Sequence, residues 1–278
     1  MGEVLEYETG DEKSYKFLPL FGNTLRFSVK AAHDCHLAFT RGTAESEPMF
    51  EVFIGAWSGE ASAIRFNKGE DLAKVDTPEI LNDGIISASE FREFWVATDH
   101  DEVRVGRGGE YEPFMSAVLP EPVATSHFGF STGHGATGDF IFFHERAAAT
   151  ENKLQYNFEP LYGDTFTFSV ACDHDAHLGF TTAPAETPLM YEVFIGGWEN
   201  QHSAIRKSKE TTVVKVETPD ECCGEKTYWV NLRGGHVRVG RAGESEPFME
   251  WQDPEPFKVT HVGYCTGWGA CGQWKLNV

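Results

Sequence analysis

The residue types in this chain that could do chemistry recur, most of them at matching places in two halves. His33-Asp-Cys-His36 and His174-Asp-Ala-His177 each set two imidazoles around a carboxylate, the ingredients of a metal site or an acid–base pair. On a strand, positions i and i+3 point to opposite faces, so the two histidines of a run cannot close on one ion unless a turn intervenes. Asp34 and His36 do share a face, where a solvated ion pair is the plain expectation. No Cys-x-x-Cys unit is present, and no metal is expected. Gly133-His-Gly-Ala-Thr-Gly138 and Gly267-Trp-Gly-Ala-Cys-Gly272 spell the glycine pattern of a dinucleotide or adenosyl site. That chemistry needs a strand before the glycines and a helix N-terminus after them. The first run leads into Asp139-Phe-Ile-Phe-Phe-His144, which reads as a strand, and the second lies six residues from the end of the sequence. A glycine-rich β-hairpin is expected at both.

Arg65 and Arg206, and Arg107 and Arg241, are paired cations in a chain with 23 Lys plus Arg against 43 Asp plus Glu, a formal charge of −20. Either they pair with the surplus carboxylates, or they face a pocket and hold an anionic group through paired hydrogen bonds. Trp57, Trp198, Trp95, Trp229 and Tyr228 fit core or sheet-edge positions, since large aromatics bury well with or without a ligand.

The elements that must position these residues are written twice. Tyr15-Lys-Phe-Leu-Pro-Leu-Phe-Gly-Asn-Thr-Leu-Arg-Phe-Ser-Val29 recurs 141 residues later as Tyr156-Asn-Phe-Glu-Pro-Leu-Tyr-Gly-Asp-Thr-Phe-Thr-Phe-Ser-Val170. At the same offset Glu51-Val-Phe-Ile-Gly-Ala-Trp57 matches Glu192-Val-Phe-Ile-Gly-Gly-Trp198, and Ser62-Ala-Ile-Arg65 matches Ser203-Ala-Ile-Arg206. The first copy then carries seven more residues between Pro78 and Phe94, and the offset falls to 134. Val103-Arg-Val-Gly-Arg107 matches Val237-Arg-Val-Gly-Arg241, and His127-Phe-Gly-Phe-Ser-Thr-Gly133 matches His261-Val-Gly-Tyr-Cys-Thr-Gly267. A tandem duplication is the reading, with domains at 12–145 and 150–278 and a short polar, Ala-rich linker near His144–Asn152.

Within each copy the hydrophobic period is two. Leu25, Phe27 and Val29 alternate with Thr24, Arg26 and Ser28, and Phe50, Val52 and Ile54 form another such face. Short alternating runs between Gly, Pro and Asp clusters predict antiparallel strands. The fold class is therefore all-β, two tandem antiparallel β-sandwich domains of jelly-roll type. Helix is expected only at Thr77-Pro-Glu-Ile-Leu, with Thr as cap and Pro at the first helical position, and as a turn at Ser87-Ala-Ser-Glu90.

Composition excludes several functions. The acidic surface repels phosphate backbones, so no nucleic-acid partner is expected. No apolar stretch has the length of a membrane span, so no membrane insertion is expected. The six cysteines have no cysteine counterparts between copies: Cys35 aligns with Ala176, Cys172 with Ala31, Cys265 with Ser131 and Cys271 with Thr137. A disulfide that holds the repeated fold would recur, so free thiols and a cytoplasmic location are expected.

The motifs Glu192-Val-Phe-Ile-Gly-Gly-Trp198, Ser203-Ala-Ile-Arg206, Val237-Arg-Val-Gly-Arg241 and Trp251-Gln-Asp-Pro-Glu-Pro-Phe257 form a set with His261-Val-Gly-Tyr-Cys-Thr-Gly-Trp-Gly-Ala-Cys-Gly272. Together they resemble the farnesoic acid O-methyltransferase family of arthropods, over nearly the whole chain and in two copies. The resemblance implies methyl transfer from S-adenosylmethionine to farnesoic acid, giving methyl farnesoate, a crustacean juvenoid of the juvenile hormone class. It implies S-adenosylmethionine as cofactor and the role of enzyme or accessory subunit. The alternative is a non-catalytic module that binds a lipid, a glycan or a protein partner. A carboxylate is already ionised at pH 7, so such a transfer needs alignment rather than a base, and no catalytic residue is named. The first copy departs from the motif at Ala117-Val-Leu-Pro120 and has His134 where the second has Trp268. A ligand site, for a small apolar carboxylic acid or another small ligand, is therefore expected in the second copy around Trp198, Arg206, Arg241, His261 and Trp268.

Overall fold

The computed structural model describes residues 4–76, 84–143 and 145–277. The first part comprises β1 (Val4–Thr9), β2 (Glu12–Pro19), β3 (Thr24–Ala31), β4 (Cys35–Thr40), β5 (Phe50–Ala56), β6 (Ala61–Phe66), β7 (Asp71–Asp76), β8 (Arg92–Asp99), β9 (Glu102–Arg107), β10 (Met115–Val118), β11 (His127–Thr132) and β12 (Gly138–Phe143). The second comprises β13 (Arg146–Thr150), β14 (Lys153–Pro160), β15 (Thr165–Cys172), β16 (Ala176–Thr181), β17 (Met190–Gly196), β18 (His202–Lys207), β19 (Thr211–Glu217), β20 (Glu225–Asn231), β21 (His236–Arg241), β22 (Met249–Gln252), β23 (His261–Thr266) and β24 (Gly272–Leu276).

Each half is a sandwich of two six-stranded antiparallel sheets. In the first half the strand orders are β1-β12-β3-β8-β9-β10 and β2-β11-β4-β5-β6-β7. In the second they are β13-β24-β15-β20-β21-β22 and β14-β23-β16-β17-β18-β19, the same orders strand for strand. The alternation seen in the sequence sets which side chains meet between the sheets. Phe27, Phe94, Phe128, Phe130, Phe140 and Phe142 fill the first core. The equivalent places in the second hold Phe168, Tyr228, Val262, Tyr264, Trp274 and Leu276. Each fully buried side chain of this size contributes about 1.5–3 kcal/mol. The polar-tipped aromatics need partners when buried: Trp274 Nε1 donates to Thr150 Oγ1 at 2.8 Å and the Tyr228 hydroxyl to the Glu221 carbonyl at 3.0 Å.

Three local expectations are corrected. The expected linker is largely strand, because β13 pairs with β24 from Arg146↔Leu276 to Thr150↔Gly272. Its counterpart β1 shares only Thr9 with it, matched to Thr150, so the repeat hides both strands. Those threonines have one role: Thr9 Oγ1 lies 2.7 Å from Thr132 Oγ1, and Thr150 Oγ1 lies 2.8 Å from Thr266 Oγ1. The glycine runs are not hairpins, since β11 and β12 lie in different sheets, as do β23 and β24. Each run is an arch that carries the chain from one sheet to the other through a tight turn, closed by Ala136 N–H to Gly133 O and by Ala270 N–H to Gly267 O. Ser87–Glu90 forms no helix; the Ser87 hydroxyl instead accepts the Ser89 N–H at 3.2 Å, a local turn that competes with helix. The start expected at Thr77-Pro-Glu-Ile-Leu lies outside the described residues.

Candidate functional site

The outer face of the sheet β14-β23-β16-β17-β18-β19 holds a cleft of about 830 Å³. Strand periodicity builds it. Along β17, Tyr191, Val193 and Ile195 point into the core, so Glu192 and Phe194 point out. Ile205 of β18 points in and Arg206 out, and the pairing Glu192↔Arg206 sets those two side chains on adjacent strands. His177 of β16 and Cys265 of β23 are also cross-strand partners on this face.

The floor is polar and buried. Glu192 is only 6% exposed; its Oε1 accepts the Tyr156 hydroxyl at 2.9 Å, while its Oε2 has no hydrogen-bond partner among the described residues. Leaving such an oxygen unmatched in a buried site costs roughly 1–3 kcal/mol or more. Burial, and then the Glu192 charge, hold the Tyr156 hydroxyl well above its ordinary pKa, so it stays a donor. Arg206 lies over Phe194, its Cζ 4.5 Å from the ring centroid, and 5.9 Å from that of Trp198. Among the described residues no carboxylate forms an ion pair with it. The equivalent Arg65 is different: Nε and Nη2 both donate to Asp71 Oδ1, at 3.0 and 2.9 Å. Position 71 corresponds to Thr212, which faces Arg206 across β18 and β19 and has no charge to offer.

One end of the cleft is shaped by a His–Asp–His cluster. Asp175 adopts φ 53°, and this left-handed residue is the turn that lets both imidazoles reach one carboxylate. His174 Nδ1 lies 2.8 Å from Asp175 Oδ2 and His177 Nε2 lies 3.3 Å from Oδ1. The first copy repeats it, with His33 at 2.6 Å and His36 at 3.1 Å from Asp34, itself at φ 58°. The pair expected to be solvated is thus buried. Burial pushes the Asp175 carboxyl up, but the hydrogen bonds from His177 and His174 outweigh it and leave it below the usual range. Among the described residues no group of three or more His, Cys, Asp or Glu could hold a metal ion. Burial also pushes the Cys265 thiol up to about 12, away from its reactive thiolate form.

Two indoles stand at the rim. Trp198 is 40% exposed, at a place the sequence suited to core or sheet edge, and Trp268, expected at a ligand site, is 73% exposed. Trp198 sits in a left-handed turn with φ 52°, followed by Glu199 at 58° and Asn200 at 60°. Each such non-glycine residue costs about 1–2 kcal/mol, so the surroundings must hold the turn. They do: Asn200 Oδ1 accepts the Cys222 N–H at 2.9 Å, the Asn200 carbonyl accepts the Asp220 N–H at 2.9 Å, and the Gly196 carbonyl accepts the Asp175 N–H at 2.9 Å. Lys215 Nζ lies 4.0 Å from the Trp198 ring. Trp268, at φ 54°, rides on the arch between β23 and β24, next to Gly269 at φ 105°, whose N–H donates to Asn152 Oδ1 at 2.9 Å.

Of the residues singled out from sequence, Trp198, Arg206 and Trp268 meet in this cleft. Arg241 and His261 lie elsewhere. Arg241 is on the other sheet, where Nε and Nη2 hold both oxygens of buried Glu221 at 2.9 and 2.8 Å. That bond raises the Arg241 pKa and, against burial, keeps Glu221 below the usual carboxylate range. His261 begins β23, four residues before Cys265, with Nδ1 2.9 Å from Thr260 Oγ1; burial lowers its pKa. The Trp251-Gln-Asp-Pro run, which marked the second copy, is architectural. Asp253 is 1% exposed and accepts the Tyr191 hydroxyl and Lys207 Nζ, both at 2.7 Å. In the first copy those three places are Phe50, Leu119 and Phe66, an apolar exchange for the same contact. Sequence reasoning missed Glu192 and Tyr156. Their signal was the recurrence of Tyr15 with Glu51, which bond at 2.7 Å in the same way.

The adenosyl group that the sequence resemblance implied finds no match in the glycine runs. Each is an arch between sheets, and neither faces a helix N-terminus.

Remote likeness to several solved structures is found. Domains LG4-5 of the mouse laminin α1 chain align at 10% identity and TM-score 0.31, covering 94% of this chain and 80% of that one. The LG1-3 region of the laminin α2 chain gives 10% and 0.31, covering 97% and 61%. An endo-β-galactosidase from Clostridium perfringens gives 9% and 0.30, covering 93% and 72%. Similarity at this level carries no inference about function. No curated protein matches the chain. A family described as farnesoic acid O-methyl transferase matches residues 11–146 and again residues 151–277. By that double match the chain belongs to the farnesoic acid O-methyl transferase family, as two consecutive copies of its domain.

Proposed function

We propose that this protein is a binding protein whose second sandwich takes a neutral sugar in the cleft between Trp198 and Trp268. One observation carries the reading: exposed indoles flank a buried floor in which, among the described residues, Glu192 Oε2 and the Arg206 guanidinium have no polar partner. A pyranose ring has apolar C–H faces that lie on indoles, and hydroxyls that both donate and accept. A hydroxyl donating to Glu192 Oε2 removes the unmatched oxygen, and a neighbouring one accepts from Arg206. Net charge −20 favours a neutral glycan over a polyanionic one. A volume of about 830 Å³ falls within the roughly 300–1,000 Å³ range of ligand pockets and suits more than one ring. A cytoplasmic home, expected from the unpaired thiols, belongs to the same proposal.

The second reading rests on the family description, methyl transfer from S-adenosylmethionine to farnesoic acid. Arg206 suits the carboxylate of farnesoic acid, but the isoprenoid chain would cross buried Glu192 beside Phe194, and the methyl donor has no recognisable cradle. Calorimetric titration of the intact chain separates the two. Heat with free sugars or oligosaccharides and none with S-adenosylmethionine or farnesoic acid supports the sugar reading. The reverse pattern supports methyl transfer.

A further inference from the structure

We infer that the first sandwich holds a second sugar site, smaller than the first described and held back by one carboxylate, Asp71; this rests on the sugar reading of the second sandwich. A cavity of about 280 Å³ lies on the equivalent outer face, among Asp34, His36, Phe53, Trp57, Arg65 and His134. Five of these six are the same residue types as in the second cleft, at the shared offset of 141: Asp175, His177, Phe194, Trp198 and Arg206.

The geometry repeats as well as the residue types. Trp57 adopts φ 51° and is 39% exposed, against 52° and 40% for Trp198. Lys74 Nζ lies 4.0 Å from the Trp57 ring, the distance of Lys215 from Trp198. Arg65 Cζ lies 4.9 Å from the Phe53 ring, against 4.5 Å for Arg206 and Phe194. The imidazole of His36 meets Phe53 edge-on at 4.8 Å, as His177 meets Phe194 at 4.3 Å. A left-handed tryptophan turn is costly to hold. Both sandwiches hold one, with the indole half out of the fold in each.

The differences set size and strength. His134 stands in place of Trp268, which removes one stacking surface and puts a ring 6.1 Å from His36. The volume falls just under the range of ordinary ligand pockets and suits a single terminal ring rather than a disaccharide. Asp71 takes the Arg65 donors Nε and Nη2 that Thr212 leaves to Arg206. Replacing Asp71 by threonine frees them for a hydroxyl.

The test is calorimetry of the full chain with a panel of free hexoses, N-acetylhexosamines and oligosaccharides built from them, run on the wild type, W198A, W57A, and W198A combined with D71T. The inference expects residual weak binding in W198A and about tenfold tighter binding when D71T is added to it, the lower end for a gained charge-assisted hydrogen bond. W57A keeps the tighter site and loses only the weaker one. Binding in the wild type that W198A abolishes, with D71T restoring none, overturns the first-sandwich site and leaves the second intact. A wild type silent toward every sugar and oligosaccharide, with folding verified by its melt, removes the sugar reading and this inference with it.

Discussion

At the scale of single residues, the cleft separates side chains that serve the fold from those left over for a ligand. Arg241 belongs to the first kind. Its two bonds occupy both oxygens of Glu221, a buried carboxylate left with only Lys226 Nζ, 3.9 Å away, as counter-charge if the arginine goes. R241A is expected to cost about 2–3 kcal/mol in chemical denaturation, below the range for a fully buried pair because the guanidinium keeps a third of its surface in water. Sugar affinity should be unchanged. Arg206 is the converse: with aromatic rings as its partners, R206A should leave the melt nearly as it was. It should weaken sugar binding by about 1.5–3 kcal/mol, the range for a hydrogen bond to a charged group. The sequence paired these two arginines as equals because both recur between copies. What tells them apart is Glu221, which lies in the stretch where the copies differ in length, and Thr212, whose uncharged side chain says little alone.

At the scale of elements, β17 and β18 do most to place the site, and their inward residues were readable from the period-two pattern. Their outward residues were not, because a strand covered on both faces shows a nearly continuous buried run; all seven residues of β17 are buried. The arches and left-handed turns were illegible for another reason. Glycine-rich spacing is shared by hairpins, arches and nucleotide loops, and only the sheet to which the next strand belongs decides between them. The lock between β18 and the segment after β22 gives a test at this scale. Asp253 is pushed up by burial but held below the usual range by its bonds from Lys207 and Tyr191. Asp175 and Glu221 are depressed in the same sense. Carboxylates with lowered folded pKa add stability above their unfolded pKa of about 4, and that stability drains as pH falls through the folded value. The second sandwich should therefore melt progressively lower from about pH 4 downward. D253N, which cannot titrate there, should start less stable at pH 7 and show a shallower acid slope.

At the scale of the whole chain, duplication was the most informative feature of the sequence. It predicted two sandwiches, and the strand orders agree one for one. It also separated the thiols: none of the six has a counterpart, and all six are free in the structure. Alkylation after unfolding without reductant should label six cysteines, and a protected pair would contradict that. The repeat obscured β1 and β13, whose sequences have diverged except for one threonine, and it distinguished the second copy by the Trp251 run, which fastens a sheet edge. Function is where the sequence resemblance and the site part company, since the family description names methyl transfer and the cleft offers indoles over a polar floor. No helix among the described residues is long and apolar enough to cross a membrane. The most direct measurement is a titration of the intact chain with oligosaccharides, followed by tryptophan fluorescence and repeated on W198A and R206A. The account predicts a saturable change in the wild type, at least tenfold weaker in R206A and lost at the second-sandwich site in W198A. Saturation by S-adenosylmethionine or farnesoic acid with no response to any glycan, or glycan binding indifferent to both substitutions, would contradict it.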